Sequence, residues 1–189
     1  GPISTARAQY WRGRALEALG REDEARAAYA EGARYPTAFY GLLSAERIGL
    51  PLSPAMAGGE AYPDWRGMPF AQSSVFLAAR ELMAAGNETL AARFLLHLGE
   101  GLSGYEIGAL AGMAMEAGEP YAALSLAKAA ADKGVIWPSA YFPVPALSGL
   151  DLPVRPELAL SIARRESEFN AAVVSHAGAL GLMQVMPGT

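Results

Sequence analysis

The chain has 189 residues, of which 52% are hydrophobic and 18% are charged, and its formal net charge is -4. This composition excludes an intrinsically disordered chain, which requires low hydrophobicity and high net charge. A pI near 5.2 argues against a basic nucleic-acid-binding protein. The absence of cysteine excludes disulfides, thiolate nucleophiles and cysteine-ligated zinc. We therefore expect a globular protein with no nucleic-acid partner.

Neither a metal nor a cofactor is expected, because the two histidines, His97 and His176, lie outside any ligand-spaced cluster of carboxylates. No apolar run is long enough to cross a bilayer, so no transmembrane segment is expected. No positively charged leader followed by an apolar stretch opens the chain. We expect that any export signal has been removed.

A repeated pattern runs through the first two thirds of the chain, in which a helix, a glycine and a second helix follow one another. An alanine follows each glycine by five positions, in the pairs Gly20 and Ala25, Gly86 and Ala91, and Gly118 and Ala123. Glycine just past a helix supplies the left-handed conformation that ends it. The small alanine lets the returning helix pack closely. We predict three helical hairpins stacked as a solenoid, with an irregular helical bundle as the alternative.

Two segments lie between the first and second hairpins. Residues 37–49 read as a further helix with an apolar side. A loop rich in proline and glycine follows at 51–69. We expect the aromatic side chains Tyr62, Trp65 and Phe70 to pack onto the solenoid rather than to bind a ligand.

The composition changes after Gly134, since residues 135–156 contain five prolines. Prolines at this density favour an extended path and interrupt helices. We interpret the segment as a linker whose aromatic side chains pack against both neighbours. A helix is predicted from Pro156 through Arg165. The predicted domains are therefore a helical scaffold at 1–136, and a linker with a second domain at 137–189.

One charged residue interrupts the apolar pattern of the last helix. Ala159, Ile162 and Ala163 share a face, and Glu166 is the next member of that stripe. Burial there would favour the protonated carboxyl, which a general acid needs. The alternative is a glutamate at a helix end that reaches solvent or pairs with Arg165.

The remaining polar residues of this region are interpreted more simply. Arg164, Arg165 and Glu168 read as ordinary solvent-facing charges, and Asn170 as a left-handed helix cap. Gln184 lies between apolar neighbours, so its amide belongs either to a core network or to a ligand site.

Two stretches together resemble a known family. They are Ile-Ala-Arg-Arg-Glu-Ser-Glu-Phe-Asn at 162–170 and Ser-His-Ala-Gly-Ala-Leu-Gly-Leu-Met-Gln-Val-Met-Pro-Gly-Thr at 175–189. Their Glu-Ser pair, Gly-Leu-Met-Gln block and Met-Pro-Gly-Thr ending resemble, in order and spacing, the catalytic domain of the soluble lytic murein transglycosylases. The large members of that family join an α-superhelical domain to this catalytic domain. The resemblance implies an all-α fold, with a helical-hairpin superhelix (solenoid) followed by the first part of a lysozyme-like α domain.

The resemblance also implies an activity. It identifies peptidoglycan as the substrate, cut at the β-1,4 bond between N-acetylmuramic acid and N-acetylglucosamine with formation of a 1,6-anhydromuramyl end. Glu166 matches the single catalytic acid/base of the family. Ser167, Ser175, Gln184 and Met186 match positions that bind the glycan or line its cleft. Glycan strands and cell-wall synthesis enzymes are the implied partners, and the periplasm is the implied location.

The family pattern continues beyond Met-Pro-Gly-Thr through an Ala-Tyr-Asn-Ala-Gly block that this chain does not contain. The resemblance therefore implies that residues 137–189 hold the acid and one wall of the cleft. Two alternatives to a transglycosylase stay open at this point. One is a catalytically inert scaffold that binds peptidoglycan or a partner, and the other is a lysozyme-like hydrolase that uses water.

Overall fold

The computed structural model describes residues 1–189, which form two compact units at 1–57 and 58–189. The regular structure consists of α-helices and short 3-10 helices, without a β-strand. The α-helices are α1 (Pro2–Ala18), α2 (Glu22–Ala33), α3 (Phe39–Arg47), α4 (Ser74–Ala84), α5 (Glu88–Glu100), α6 (Gly104–Glu116), α7 (Pro120–Asp132), α8 (Pro138–Tyr141) and α9 (Pro156–Glu166). The 3-10 helices are Pro54–Ala57, Trp65–Gly67, Pro69–Gln72 and Ala146–Gly149.

The three predicted hairpins are present as α1 with α2, α4 with α5, and α6 with α7. Their glycines Gly20, Gly86 and Gly118 have φ of 70°, 75° and 74°. In each, the glycine N–H and the following N–H donate to carbonyls of the preceding helix, which is the Schellman arrangement. The alanine five positions after each glycine is buried. In each repeat, the glycine therefore ends one helix and the alanine marks the buried side of the next helix.

The first unit is a three-helix assembly in which α3 packs on both helices of the first hairpin. Its core contains the rings of Tyr10 and Tyr29, and Tyr40 and Leu43 of α3 lie against them. The helix predicted at 37–49 is thus confirmed as α3.

The second unit is built around α6, whose residues from Ile107 to Ala114 are all buried. A helix that is apolar on every side belongs at the centre of a core. Phe70 is buried in this core, and Tyr62 and Trp65 pack against it, as expected from the sequence. The second and third hairpins meet where α5 contacts α7.

The linker at 135–156 is less extended than its prolines predict. Pro138 begins the short helix α8, and a 3-10 helix forms at Ala146–Gly149. Proline fits the first turn of a helix because the N–H that it lacks has no intrahelical partner there. Trp137 packs its ring against Gly108 of α6 and donates from Nε1 to the Gly104 carbonyl at 3.0 Å.

The predicted all-α fold class, helical hairpins followed by the start of a lysozyme-like domain, is confirmed. The predicted domain boundary between residues 136 and 137 stays a prediction, and both sides of it lie within the second unit. None of the helices combines the length and the apolar character that crossing a bilayer requires.

Candidate active site

The candidate acid is the last residue of α9, which begins with Pro156 in its first turn. The buried stripe of this helix consists of Ala159 and Ala163 and continues to Ser167, at intervals of four residues. Ile162 is 42% exposed, so the face that leads to Glu166 points towards solvent. Of the two possibilities that the sequence left open, a buried acid and a helix-end glutamate that reaches solvent, the structure has the second, because the helix buries a narrower stripe than the apolar pattern indicated. The Glu166 side chain is exposed.

The Glu166 carboxylate has no salt bridge or hydrogen bond to any other residue, including Arg165. Every ion pair and every side-chain hydrogen bond of the chain joins other groups. An unpaired carboxyl at the surface is available to contact a ligand.

The backbone turns sharply directly after this residue. Glu168 and Phe169 adopt φ of 54° and 66°, a left-handed conformation that side chains rarely take. Each such residue costs on the order of 1–3 kcal/mol and persists only where the surroundings enforce it. Here Phe169 is buried beside Leu124 of α7. Lys128, also on α7, pairs with the Glu168 carboxylate at 2.6 Å.

Ser167 ties this turn to the Gly-Leu-Met-Gln segment. Its hydroxyl lies 3.1 Å from the carbonyl of Ala163 and 2.9 Å from that of Leu182, and it can donate to either. The side chain is buried. These contacts favour a positioning role, and the predicted contact of Ser167 with substrate stays a prediction.

Ser175 and Gln184 lie in a compact loop closed by isolated bridges from Leu180 to Val174 and to Val185. The Ser175 Oγ accepts from the Ala179 N–H at 2.9 Å, which leaves its own hydroxyl proton free to donate. The amide nitrogen of Gln184 donates to the carbonyls of Val173 and Gly181, at 3.2 and 2.9 Å. Gln184 is thus a network member whose amide oxygen makes no hydrogen bond within the chain.

Met186 follows this loop and is 47% exposed. Hydrogen bonds therefore connect Glu166's neighbour Ser167 to the loop that carries Gln184, and Ser175 is part of the same loop. Met186 is connected to these residues only by the polypeptide chain. The assignment of all five residues to catalysis or binding stays a prediction.

Two charged residues that the sequence analysis placed in solvent have specific contacts instead. The guanidinium of Arg164 lies 5.1 and 5.0 Å from the ring centroids of Tyr141 and Phe142. It also donates to the Tyr141 carbonyl at 3.2 and 3.3 Å, which fixes α9 against α8. Glu168 is held by Lys128, as described above. Both partners are distant in sequence, so helical spacing could not reveal them, whereas Arg165 is exposed as expected.

The predicted left-handed cap at Asn170 is also wrong. The left-handed positions are Glu168 and Phe169, because burial of the Phe169 ring turns the chain one residue earlier. The Asn170 side chain instead accepts from the Ala172 N–H at 3.1 Å. No three His, Cys, Asp or Glu side chains of the chain come together as a metal site would require.

The chain is similar to known proteins both in sequence and in fold. A sequence profile described as the transglycosylase SLT domain matches residues 150–189, which include the candidate site. The crystal structure of the 70 kDa soluble lytic transglycosylase from Escherichia coli superposes with a TM-score of 0.72 at 26% identity, over 98% of this chain. The chain therefore resembles the soluble lytic transglycosylases, in sequence over residues 150–189 and in fold over nearly its whole length.

Two further transglycosylase structures are similar over 97% of this chain. The lytic transglycosylase Slt of Pseudomonas aeruginosa, solved as an inactive glutamate-to-glutamine mutant, has a TM-score of 0.75 and 27% identity. A complex of the 70-kDa soluble lytic transglycosylase with bulgecin A has a TM-score of 0.71 and 26% identity. The chain spans about 30% of the length of these solved proteins. No curated protein sequence matches it.

Proposed function

We propose that this protein is a peptidoglycan lytic transglycosylase that cleaves the β-1,4 bond between N-acetylmuramic acid and N-acetylglucosamine, with Glu166 as its acid/base. The observation that carries the proposal is an exposed, unpaired carboxylate inside the SLT-matching segment. The P. aeruginosa enzyme supports it, since the glutamate-to-glutamine mutant of that enzyme is inactive. From this proposed substrate we infer a periplasmic location.

In the proposed reaction, the protonated Glu166 carboxyl donates to the glycosidic oxygen as the bond from that oxygen to C1 of the muramyl sugar breaks. The resulting carboxylate then accepts the proton of the C6 hydroxyl while that oxygen bonds to C1. The product is a 1,6-anhydromuramyl end, and no water is consumed. Glu166 is left protonated, ready for the next cycle.

A second catalytic carboxylate is not proposed. Glu168 is the next carboxylate along the chain after Glu166, and it is engaged by Lys128 at 2.6 Å. Glycosidases that lack a second carboxylate can use the N-acetyl group of the substrate to stabilise the cationic intermediate. We infer the same substrate assistance here.

The glycan contacts that we propose use the groups left free by the loop. The Ser175 hydroxyl can donate to a sugar oxygen, because its own oxygen already accepts from Ala179. The Gln184 amide oxygen can accept from a sugar hydroxyl. Met186 offers an exposed apolar side chain against a sugar face. Ser167 holds the turn that follows the acid.

The test is mass spectrometry of muropeptides released from purified sacculi. We compare the unmodified protein with Glu166→Gln and with Glu157→Gln, a matched exposed glutamate on the same helix. Loss of a general acid lowers rates by about 100-fold or more. Anhydromuramyl products that disappear in Glu166→Gln and persist in Glu157→Gln support the proposal.

Two results would overturn it. Products with reducing ends would show that water is the nucleophile, as in a lysozyme-like hydrolase. Sacculus binding without any product from the unmodified protein would instead support the scaffold alternative.

A further inference from the structure

Arg164 makes contacts at the end of α8 that the proposed reaction does not use. It lies two positions before Glu166, is half-buried and pairs with no carboxylate. Its Nε and Nη2 atoms both donate to the carbonyl of Tyr141, at 3.3 and 3.2 Å. The guanidinium carbon lies over the rings of Tyr141 and Phe142, 5.1 and 5.0 Å from their centroids. A planar guanidinium with these partners is held in one orientation.

These contacts matter for α9 because the helix buries only small side chains. The buried residues are Ala159 and Ala163, and Leu160 packs beside them partly buried. Methyl groups interdigitate little with a neighbouring element, so they hold the rotation of a helix about its axis weakly. Among the side chains of α9, Arg164 alone makes a hydrogen bond to another helix. Its contacts therefore contribute much of what fixes the rotation of α9.

Arg164 and Glu166 lie on opposite sides of α9. Successive residues of an α-helix turn by about 100°, so the two side chains are about 200° apart around the axis. Side chains end about 5–6 Å from the axis, so a rotation of about 10° moves the Glu166 carboxyl by about 1 Å. A displacement of this size can lower the rate of an enzyme by about 100-fold. A rotation that breaks the contacts of Arg164 thus moves the candidate acid.

From this arrangement we propose that Arg164 is a positioning residue for the acid, because it binds the end of α8 on one side of α9 and thereby fixes the direction of the Glu166 carboxyl on the other. The inference rests on the proposed function, since it assigns a role in the same reaction. Arg164 touches no substrate in this role. Its loss should therefore lower kcat and leave KM nearly unchanged.

An electrostatic role for the charge of Arg164 makes a different prediction. Arg165 separates the two roles, since it is directly next to Glu166, carries the same charge and is exposed. It takes part in no ion pair. If a nearby positive charge were what the acid needs, removal of Arg165 would lower kcat at least as much as removal of Arg164. Positioning requires that only the loss of Arg164 has an effect.

The test is the initial rate of anhydromuropeptide release from soluble, uncross-linked peptidoglycan strands, measured with the whole chain. Arg164→Met keeps an unbranched side chain and removes the donors and the charge. It should lower kcat by about tenfold or more, with KM within about twofold of the unmodified protein. Arg165→Met is the matched control and should leave both constants within about twofold. Arg164→Lys retains a cation and a donor, and its kcat should exceed that of Arg164→Met by about threefold or more.

A double-mutant cycle shows whether Arg164 acts through the end of α8. Phe142→Leu removes a ring that the guanidinium lies over, and it should lower kcat by about threefold in the unmodified protein. In the Arg164→Met background the same change should lower kcat by less than about 1.5-fold, because the contact is already lost. Circular dichroism and thermal unfolding check that each variant is folded at the assay temperature, since unfolding would reduce the active fraction.

Three results would overturn the inference. They are a kcat of Arg164→Met within twofold of the unmodified protein, an equal loss in Arg165→Met, and a loss that appears in KM at unchanged kcat. Failure of the proposed function gives a different result, since the unmodified protein would then release no anhydromuropeptides. That outcome would overturn the function and the positioning role together, whereas full activity of Arg164→Met would overturn the positioning role alone.

Discussion

The Ser167 hydroxyl joins two parts of the candidate active site through short-range contacts. It is 7% exposed and lies 2.9 Å from the Leu182 carbonyl, across fifteen positions of sequence. A buried carbonyl that loses its donor retains a desolvation cost. The contact therefore stabilises the position of the Gly-Leu-Met-Gln segment relative to the end of α9.

We predict that Ser167→Ala lowers the free energy of unfolding by about 1 kcal/mol, because a buried hydrogen bond is lost. Urea unfolding followed by circular dichroism measures the change. Ser161→Ala is the matched control, since that exposed serine donates only to the Leu158 carbonyl of its own helix. Equal stability of the two variants would show that Ser167 does not hold the segment.

At the residue scale, a side chain's contacts can be predicted from the sequence when its partner lies within a few positions of it. The hairpin glycines and alanines were predictable because helix ends and one-turn spacings are encoded within a few residues. Arg164 and Glu168 were not, since their partners Tyr141 and Lys128 lie 23 and 40 positions away. The sequence left open whether Glu166 is buried or exposed, because the width of the buried stripe depends on what packs against α9.

The helix α6 and the linker are in close contact. The Trp137 ring lies so near to Gly108 that a methyl group at this position would overlap it. Glycine in a helix interior costs about 0.5–1 kcal/mol relative to alanine. Here that cost is offset by the packing of an indole on the helix backbone.

We predict that Gly108→Ala destabilises the protein by about 1–3 kcal/mol, although alanine is the better helix former. Thermal unfolding measures the change. Gly101→Ala is the control, because a methyl group there meets no atom within 4 Å and the residue has a negative φ of -86°. A stabilised Gly108→Ala variant would show that Trp137 does not pack on α6 in solution.

The elements themselves were largely predictable, since proline, glycine and the helical period mark their ends. The linker was the exception. Its prolines predicted an extended path, whereas Pro138 starts α8 because the Trp137 ring is anchored on α6 beside it. Tertiary packing overrode the local signal there.

Across the whole molecule, each compact unit contains one tyrosine whose buried hydroxyl makes no hydrogen bond. They are Tyr29 in the first unit and Tyr62 in the second. Burial raises the pKa of Tyr29 to about 12, and it raises the pKa of Tyr62 to about 12 as well. The charge of Glu17 adds to the effect at Tyr29, and that of Glu60 adds to it at Tyr62.

We predict that stability falls as the pH rises from about 10 towards 12. In this window tyrosines of the unfolded chain lose their protons while Tyr29 and Tyr62 keep theirs, so the folded state binds more protons. For each tyrosine, the free energy of unfolding should fall by on the order of 1 kcal/mol per pH unit. Urea unfolding at several alkaline pH values measures it. The double variant Tyr29→Phe and Tyr62→Phe should show a shallower slope, and an unchanged slope would contradict the assignment.

The sequence by itself determined the helical hairpins, the packing of the aromatic loop and the resemblance of residues 162–170 and 175–189 to a transglycosylase domain. Those properties depend on residue type and short spacing, which a single chain displays directly. Only the tertiary structure decided that Glu166 is exposed, that Phe169 and Lys128 enforce the turn behind it, and that Arg164 binds the end of α8. These facts depend on which distant segments meet, because burial and charge pairing are properties of the packed molecule rather than of the local pattern.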